Sequence, residues 1–315
     1  MSDIPTSVDP NRKLENNGGI ASDDVPSPVR DWVNVNGRQL EIAWHTPSTV
    51  TRPGTIVMLH EGIGSVSTWR DYPHAVAATI GCRVLAYSRH GYGQSEVLVE
   101  PRAPDFMHRE AQDVLPALLR VLGIQSPILY GHSDGASIAL LFAAAYGASA
   151  TAGLILEAPH VLVEAPAPDG ARRARLAFDG GTLALALARH HRDARRTFFG
   201  WHDIWTAAEF NGWNIEPALE SIDVPLLAIQ GHDDEYGTMI HLDSIAARVR
   251  GPCQLLKLAQ CGHAPHRDQR ELVLRAALSF VDDPSHAGRF GALGPSASLG
   301  SVAARGSRGP LGASR

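Results

Sequence analysis

One stretch restricts this chain more than any other: Ile128-Leu129-Tyr130-Gly131-His132-Ser133-Asp134-Gly135-Ala136-Ser137-Ile138. An apolar run ends in Gly-x-Ser-x-Gly, and a run of Ala, Leu and Phe at helical spacing follows at once. This pattern predicts a strand turning sharply into a helix with Ser133 at the apex. Such a turn strains the serine backbone, so the residues two before and two after must be small. Gly131 and Gly135 meet that demand, and Ala136 lets the helix lie close to the sheet. The hydroxyl is lifted clear of the sheet, and the Asp134 amide becomes a helix-start donor for a developing oxyanion.

On either side of this turn the chain reads as alternating strands and helices. Residues 1–29 are polar and aperiodic, which predicts a disordered leader. Asp31–Val35 and Gln39–Trp44 flank Asn36-Gly37, the signature of a β-hairpin. Thr55–Leu59 and Arg83–Tyr87 are short apolar runs of the kind buried on both sheet faces. They empty into His60-Glu61-Gly62-Ile63-Gly64-Ser65 and Ser88-Arg89-His90-Gly91-Tyr92-Gly93-Gln94-Ser95. A helix is expected from about Met107 to Leu122, with Gly123 as its stop. Leu154–Glu157, Pro225–Ile229 and Gln254–Leu258 complete the strands, with helices over Met239–Val249 and up to about Val281. The expectation is an α/β fold, a mostly parallel sheet with helices on both faces and its site at the carboxyl ends of the strands. The core spans residues 30–159 and 217–283. Residues 160–216 break the alternation with Arg-rich helical segments and three tryptophans, Trp201, Trp205 and Trp213, and are expected to form a helical lid. Residues 284–315, rich in Gly, Ser, Ala and Pro, are expected to be a disordered tail.

A serine hydroxyl needs a base, and the base a carboxylate to orient it. Among 15 histidines, His263 lies in the loop Ala259–His266 beyond a strand end, between a glycine and Ala264-Pro265; His266 is its rival in the same loop. For the acid, Asp234 follows the preceding strand in Gly231-His232-Asp233-Asp234-Glu235, with Asp233 as the alternative. The chain order Ser, Asp, His is that of one of the three well-known triads. A second oxyanion donor is expected from the Gly62 amide, with Ile63 behind it. Glu61 and Asp134 are expected to point outward or to cap local amides, since two acids facing the cavity would repel anionic substrates. His160, Ile63 and the three tryptophans are candidate substrate contacts, although the tryptophans equally suit a small core within residues 160–216.

With those residues placed, the chain resembles the α/β-hydrolase superfamily over about residues 30–283, and within it the lid-bearing esterase and carbon–carbon hydrolase branch. Leu59-His60-Glu61-Gly62, Ser88–Ser95, Gly131–Gly135, Gly231–Asp234 and Gly262-His263 carry the resemblance. It implies Ser133 as nucleophile, His263 as base, Asp234 as orienting acid, and the amides of Gly62 and Asp134 as oxyanion hole. Two positions depart from the family pattern: Glu61 stands where a glycine is usual, and Ser88 where an aspartate is usual. A serine nucleophile excludes the dehalogenase and epoxide hydrolase relatives, whose nucleophile is an aspartate.

The expected activity is hydrolysis of a small, mostly uncharged carboxylic ester. Carbon–carbon hydrolysis of a diketone-like ring-cleavage product is the alternative, with acyl transfer and a non-catalytic binding protein behind it. No Walker-type loop or metal-ligand spacing is present, so neither cofactor nor metal is expected. A net charge of −5 and a pI near 6.3 give no reason to expect nucleic acid or an anionic membrane as partner. Three scattered cysteines, Cys82, Cys253 and Cys261, do not make a disulfide framework, which suits a reducing cytoplasm. A homodimer is compatible with the sequence.

Overall fold

The computed structural model describes residues 28–286 together with 288 and 289. The expectations for most of the leader and most of the tail lie outside the described residues. Pro284–His286 is an exception and a correction, because it forms a single ordered turn whose His286 is buried.

Eight strands, β1 (Val29–Val35), β2 (Arg38–His45), β3 (Thr55–Leu59), β4 (Arg83–Tyr87), β5 (Ile128–His132), β6 (Gly153–Glu157), β7 (Leu226–Gly231) and β8 (Cys253–Leu258), form one sheet. Their order is β1-β2-β4-β3-β5-β6-β7-β8. The first two are an antiparallel hairpin, β2 is antiparallel to β4, and every later pairing is parallel. Asn36 and Gly37 both take positive φ, 51° and 82°, as a two-residue hairpin turn requires. Strands β5, β6 and β7 are buried along their whole length, which explains why they read as continuous apolar runs.

Helices α1 (Tyr72–Ile80) and α11 (Arg270–Val281) pack together on one face, over a core that includes Ile56, Tyr130, Ile155 and Phe280. The other face carries α2 (Phe106–Arg109), α3 (Leu115–Val121), α4 (Asp134–Tyr146) and α9 (Ile240–Arg248) around Val57, Leu129 and Leu156. The helix expected from Met107 to Leu122 is interrupted by a π turn at Glu110–Val114. Pro116 is the physical reason: it has no N–H for the Gln112 carbonyl, and its ring would crowd that oxygen. The widened turn frees the carbonyl, which accepts from Tyr146 Oη at 2.7 Å.

Between β6 and β7 the chain leaves the sheet and forms α5 (Pro166–Asp179), α6 (Thr182–Ala188), α7 (Ala194–Thr206) and the short α8 (Glu216–Leu219). The excursion is cinched at its base by a bridge between Leu162 and Asn214. Val163 N–H donates to the Trp213 carbonyl at 3.1 Å, and Ile215 N–H to that of Val161 at 2.8 Å. Phe178 and Phe198 stack within it at 4.1 Å between ring centroids. This helical insertion sits over the carboxyl ends of the strands, and its apolar side chains are continuous with the core on the α4 face of the sheet. The last short helix, α10 (Pro265–Asp268), follows β8.

Candidate active site

Ser133 sits between β5 and α4 with φ 53° and ψ −118°, a left-side conformation that only an over-determined turn can hold. The flanking glycines are what make it fit. A Cβ on Gly131 would meet the Gly135 carbonyl and Ala136, and one on Gly135 would strike the backbone of Leu59 and His60. Helix α4 thus presses its first turn directly against the end of β3.

Three strand ends converge on the serine hydroxyl. Its Oγ lies 2.9 Å from His263 Nε2, and His263 Nδ1 lies 2.8 Å from Asp234 Oδ1. Burial would raise the Asp234 carboxyl, but His263 and the Tyr236 amide outweigh it and hold it down at about 2. An ionised Asp234 has no proton to give, so His263 Nδ1 carries the hydrogen and the Nε2 lone pair accepts from Ser133. Asp234 is itself fixed by the amides of Tyr236 at 2.9 Å and Gly237 at 3.3 Å on Oδ1, and by Gln230 Nε2 at 3.2 Å on Oδ2. Asp233 is exposed and takes no part in this arrangement. His266, the rival histidine, is buried elsewhere: Glu157 Oε2 accepts from its backbone N–H at 2.8 Å and from its Nδ1 at 2.9 Å. Glu157 Oε1 also takes the Tyr130 hydroxyl at 2.5 Å, so this acid anchors the start of α10 behind the base.

The loop after β3 is a turn in which Gly64 N–H donates to the Glu61 carbonyl at 3.1 Å. That same carbonyl accepts from His60 Nδ1 at 2.7 Å and Arg89 Nη2 at 2.8 Å. His60 Nε2 accepts from the Arg89 amide at 3.1 Å, so Nδ1 bears the proton. Burial first, then Arg89, push the His60 imidazole well below its ordinary value and keep it neutral. The amides at the centre of the turn, Gly62 and Ile63, donate to no acceptor among the described residues. The Trp201 indole packs on the Gly62 α-carbon so closely that a Cβ there would collide with it.

The expectation that Glu61 and Asp134 point outward or cap local amides is corrected. Asp134 is fully buried, with Trp205 Nε1 donating to Oδ1 at 3.3 Å and Arg89 Nη2 3.8 Å from Oδ2. Burial raises its carboxyl above the ordinary value against the pull of Arg89 and Arg102. Glu61 turns toward His132, with 3.8 Å between Oε2 and Nδ1. Burial opposes its charge, but His132 holds the carboxyl well below the usual range, and Glu61 in turn raises the His132 imidazole against its own burial. Each acid thus faces a basic neighbour: Arg89 came from a recognised motif and His132 precedes the serine, yet neither carries a sequence signal for its pairing.

Of the candidate substrate contacts, His160 lies under Trp205 at 5.0 Å and beside the His263 ring at 5.7 Å, its Nδ1 without a hydrogen-bond partner among the described residues. Burial, then His241 and His263, push it well below its ordinary value. Trp201 lies against Gly62 and 6.3 Å from the Tyr236 ring, Trp205 reaches Asp134, and the Ile63 carbonyl accepts from His191. Trp213 instead stacks on Phe210 at 5.5 Å within the insertion and lies 6.3 Å from the Trp205 ring. Tyr236, unmarked in the sequence, faces the His263 ring at 4.7 Å. A cavity of about 350 Å³ lined by Arg52, Ile56, Cys82 and Ile128 lies at the opposite, amino-terminal ends of the strands, away from this chemistry. The three cysteines are free thiols, and burial pushes that of Cys261 up to about 12. Among the described residues no group of three or more His, Cys, Asp or Glu is arranged to hold a metal ion, and no helix is long and apolar enough to cross a membrane.

Known proteins share this architecture. A 2-hydroxy-6-oxo-6-phenylhexa-2,4-dienoate hydrolase of Comamonas testosteroni is 23% identical over 252 residues, 72% of this chain and 87% of that protein. The enol-lactonase of Burkholderia xenovorans LB400 superposes with a TM-score of 0.64 at 18% identity, covering 80% of this chain and 99% of that one. The 2-hydroxy-6-oxo-6-phenylhexa-2,4-dienoate hydrolase of Rhodococcus sp. strain RHA1 gives 0.67 at 14%, covering 81% and 99%. The model of the alpha/beta hydrolase family matches residues 56–276, most of the described sheet together with the serine turn and the His263 loop, and the chain is a hydrolase of that family.

Proposed function

We propose that this hydrolase cleaves a small, mostly uncharged carboxylic ester, a lactone included, through an acyl-enzyme on Ser133. The observation that carries the reading is the continuous line from Ser133 Oγ through His263 to the ionised Asp234, with bonds of 2.9 and 2.8 Å. Ser133 Oγ attacks the ester carbonyl as its proton passes to His263 Nε2, and the carbonyl oxygen takes the electron pair. The amide of Asp134, at the start of α4, and that of Gly62, with Ile63 beside it, are the donors for this oxygen. Collapse expels the alkoxide, which takes the proton back from His263. Water then gives a proton to the same nitrogen, attacks the acyl carbon, and the acid leaves as Ser133 regains its hydrogen. Ile63, His160, Trp201 and Trp205 would wall an apolar, partly aromatic substrate space, with Trp213 supporting Trp205 from behind. The insertion would act as the lid over it. The internal pairing of Asp134 with Arg89 and of Glu61 with His132 leaves the site without a large uncompensated charge, which favours an uncharged substrate.

Carbon–carbon hydrolysis is the second reading, favoured by the Comamonas relative whose name carries that chemistry. The test is intact-mass analysis after exposure to a fluorophosphonate, for wild type, Ser133→Ala and His263→Ala. One adduct on wild type and none on either variant is expected, followed by turnover on a panel of esters, lactones and vinylogous diketones. A folded wild type that takes no adduct would overturn the nucleophile assignment.

A further inference from the structure

The turn that offers the Gly62 and Ile63 amides is held at both ends by different parts of the chain. At its first end the Glu61 carbonyl is gripped by the core, through His60 and Arg89. At its second end the Ile63 carbonyl accepts from Nε2 of His191, 3.0 Å away, and His191 belongs to the insertion, in the segment between α6 and α7. The other ring nitrogen of His191 accepts from the Gly93 amide at 2.9 Å, which fixes the tautomer: Nδ1 is the acceptor and Nε2 carries the hydrogen. Next to it, Arg192 N–H donates to the Gly93 carbonyl at 2.9 Å, and His190 Nδ1 meets Ser67 Oγ at 2.9 Å. The ring is 5% exposed, and burial pushes its imidazole down to about 4, so it stays in the neutral form that both bonds need.

We propose that His191 is a positioning residue that couples the seating of the helical insertion to the geometry of the oxyanion-binding turn. The inference rests on the reading that this turn supplies oxyanion donors. A peptide plane is rigid, so anchoring the Ile63 carbonyl sets the orientation of the 63–64 peptide, and with the Glu61 anchor it leaves the two central amides little freedom. Trp201 of α7 packs on Gly62 from the same insertion, so the donors are complete only when the insertion is seated. His191 touches no reacting atom. Its effect is to keep donors aimed where charge develops, and this is worth more in the transition state than in the ground state.

The experiment compares wild type with His191→Asn, His191→Gln and His191→Ala. Gln can place an N–H near the imidazole Nε2 and keep the Ile63 bond; Asn can place an oxygen near Nδ1 and keep only the Gly93 bond. Hydrolysis of a p-nitrophenyl ester is followed per active site titrated with a fluorophosphonate, so that misfolded protein does not count. Binding of a trifluoromethyl ketone, which mimics the tetrahedral intermediate, is measured alongside. The expected result is a loss in kcat of about tenfold or more for Asn and Ala with KM little changed, a parallel loss in affinity for the ketone, and recovery in Gln to within about threefold of wild type. Unchanged kcat in Ala, or equal losses in Asn and Gln, would overturn the coupling. A wild type that forms no adduct would instead overturn the hydrolase mechanism on which the coupling rests, and the two failures are distinct.

Discussion

Replacing Asp234 with asparagine separates two ways in which the carboxylate could serve His263. Three donors, His263 Nδ1 and the amides of Tyr236 and Gly237, converge on Oδ1, while Oδ2, among the described residues, meets only Gln230 Nε2. Two of the three are backbone amides that cannot turn away, so an asparagine would place its oxygen at the Oδ1 position and its NH2 toward Gln230. The Gln230 amide can then flip, because its buried Oε1 has no partner among the described residues, at the cost of its 2.9 Å bond to the Gly237 carbonyl. His263 keeps its tautomer and loses only the negative charge that stabilises the imidazolium. A unit charge about 4 Å away is worth ~4 kcal/mol in a medium of effective dielectric about 20, and the asparagine dipole retains part of it. The expected loss in kcat/KM for ester hydrolysis is therefore about 10²–10³-fold, with a stability loss of about 1 kcal/mol for the surrendered hydrogen bond. A loss of ~10⁴-fold or more, the size associated with an inverted tautomer, would refute the argument that the backbone amides select the oxygen. A loss under tenfold would remove Asp234 from the role altogether, and Asp233→Asn, expected to be neutral, serves as the control.

Gly135→Ala should cost about 3 kcal/mol or more in urea unfolding, because its Cβ meets the immovable backbone of Leu59; a near-neutral variant would contradict the packing of α4 on β3. His45 and His191 are both buried, with imidazoles pushed from 6.5 to about 4. Since the unfolded chain takes up protons at higher pH than the folded one, stability should be full above pH 6.5 and fall by up to ~3 kcal/mol for each between about pH 6.5 and 4. Urea titrations at pH 7 and 4.5 should show a shallower acid loss in His191→Gln, and an identical pH dependence would refute the assignment. Glu157→Gln removes the buried charge on which Tyr130 and His266 converge and leaves an NH2 facing one of these two partners, so it should lower stability by about 3 kcal/mol and slow turnover by loosening the loop that carries His263. Full stability by calorimetry would count against that network. Trp201→Ala should change the preference among esters of different bulk, whereas Trp213→Ala should leave it unchanged and lower only the melting temperature; the reverse outcome would exchange their places.

The sheet was legible in the sequence because a parallel strand buried on both faces can only be an unbroken apolar run. Ile128–Leu129, Leu154–Leu156 and Leu226–Ile229 could be read one by one, without knowledge of their neighbours. The serine turn was legible for a similar reason, since the steric demand of its backbone falls on the residues two positions away. The loops holding Asp234 and His263 could be located because strand ends locate them, and the choice of Asp234 over Asp233 came with the turn that follows Gly231. The π turn at Glu110–Val114 was missed because Pro116 sits inside an otherwise regular helical pattern, and periodicity does not register one extra residue in a turn.

What the sequence by itself determined is therefore whatever depends on local backbone geometry and on burial along a single element: the strands, the hairpin, the serine turn and the residues that ring it. Tertiary structure alone decided where the acids point and what grips the oxyanion-binding turn. Asp134 meets Arg89 and Trp205, Glu61 meets His132, and Ile63 meets His191, across separations of 45 to 128 positions wherever the partner is not within the same turn. Those pairings follow from how the insertion and the strand ends are brought together in space, and a charge or a ring nitrogen carries no mark in the chain of the partner it will find.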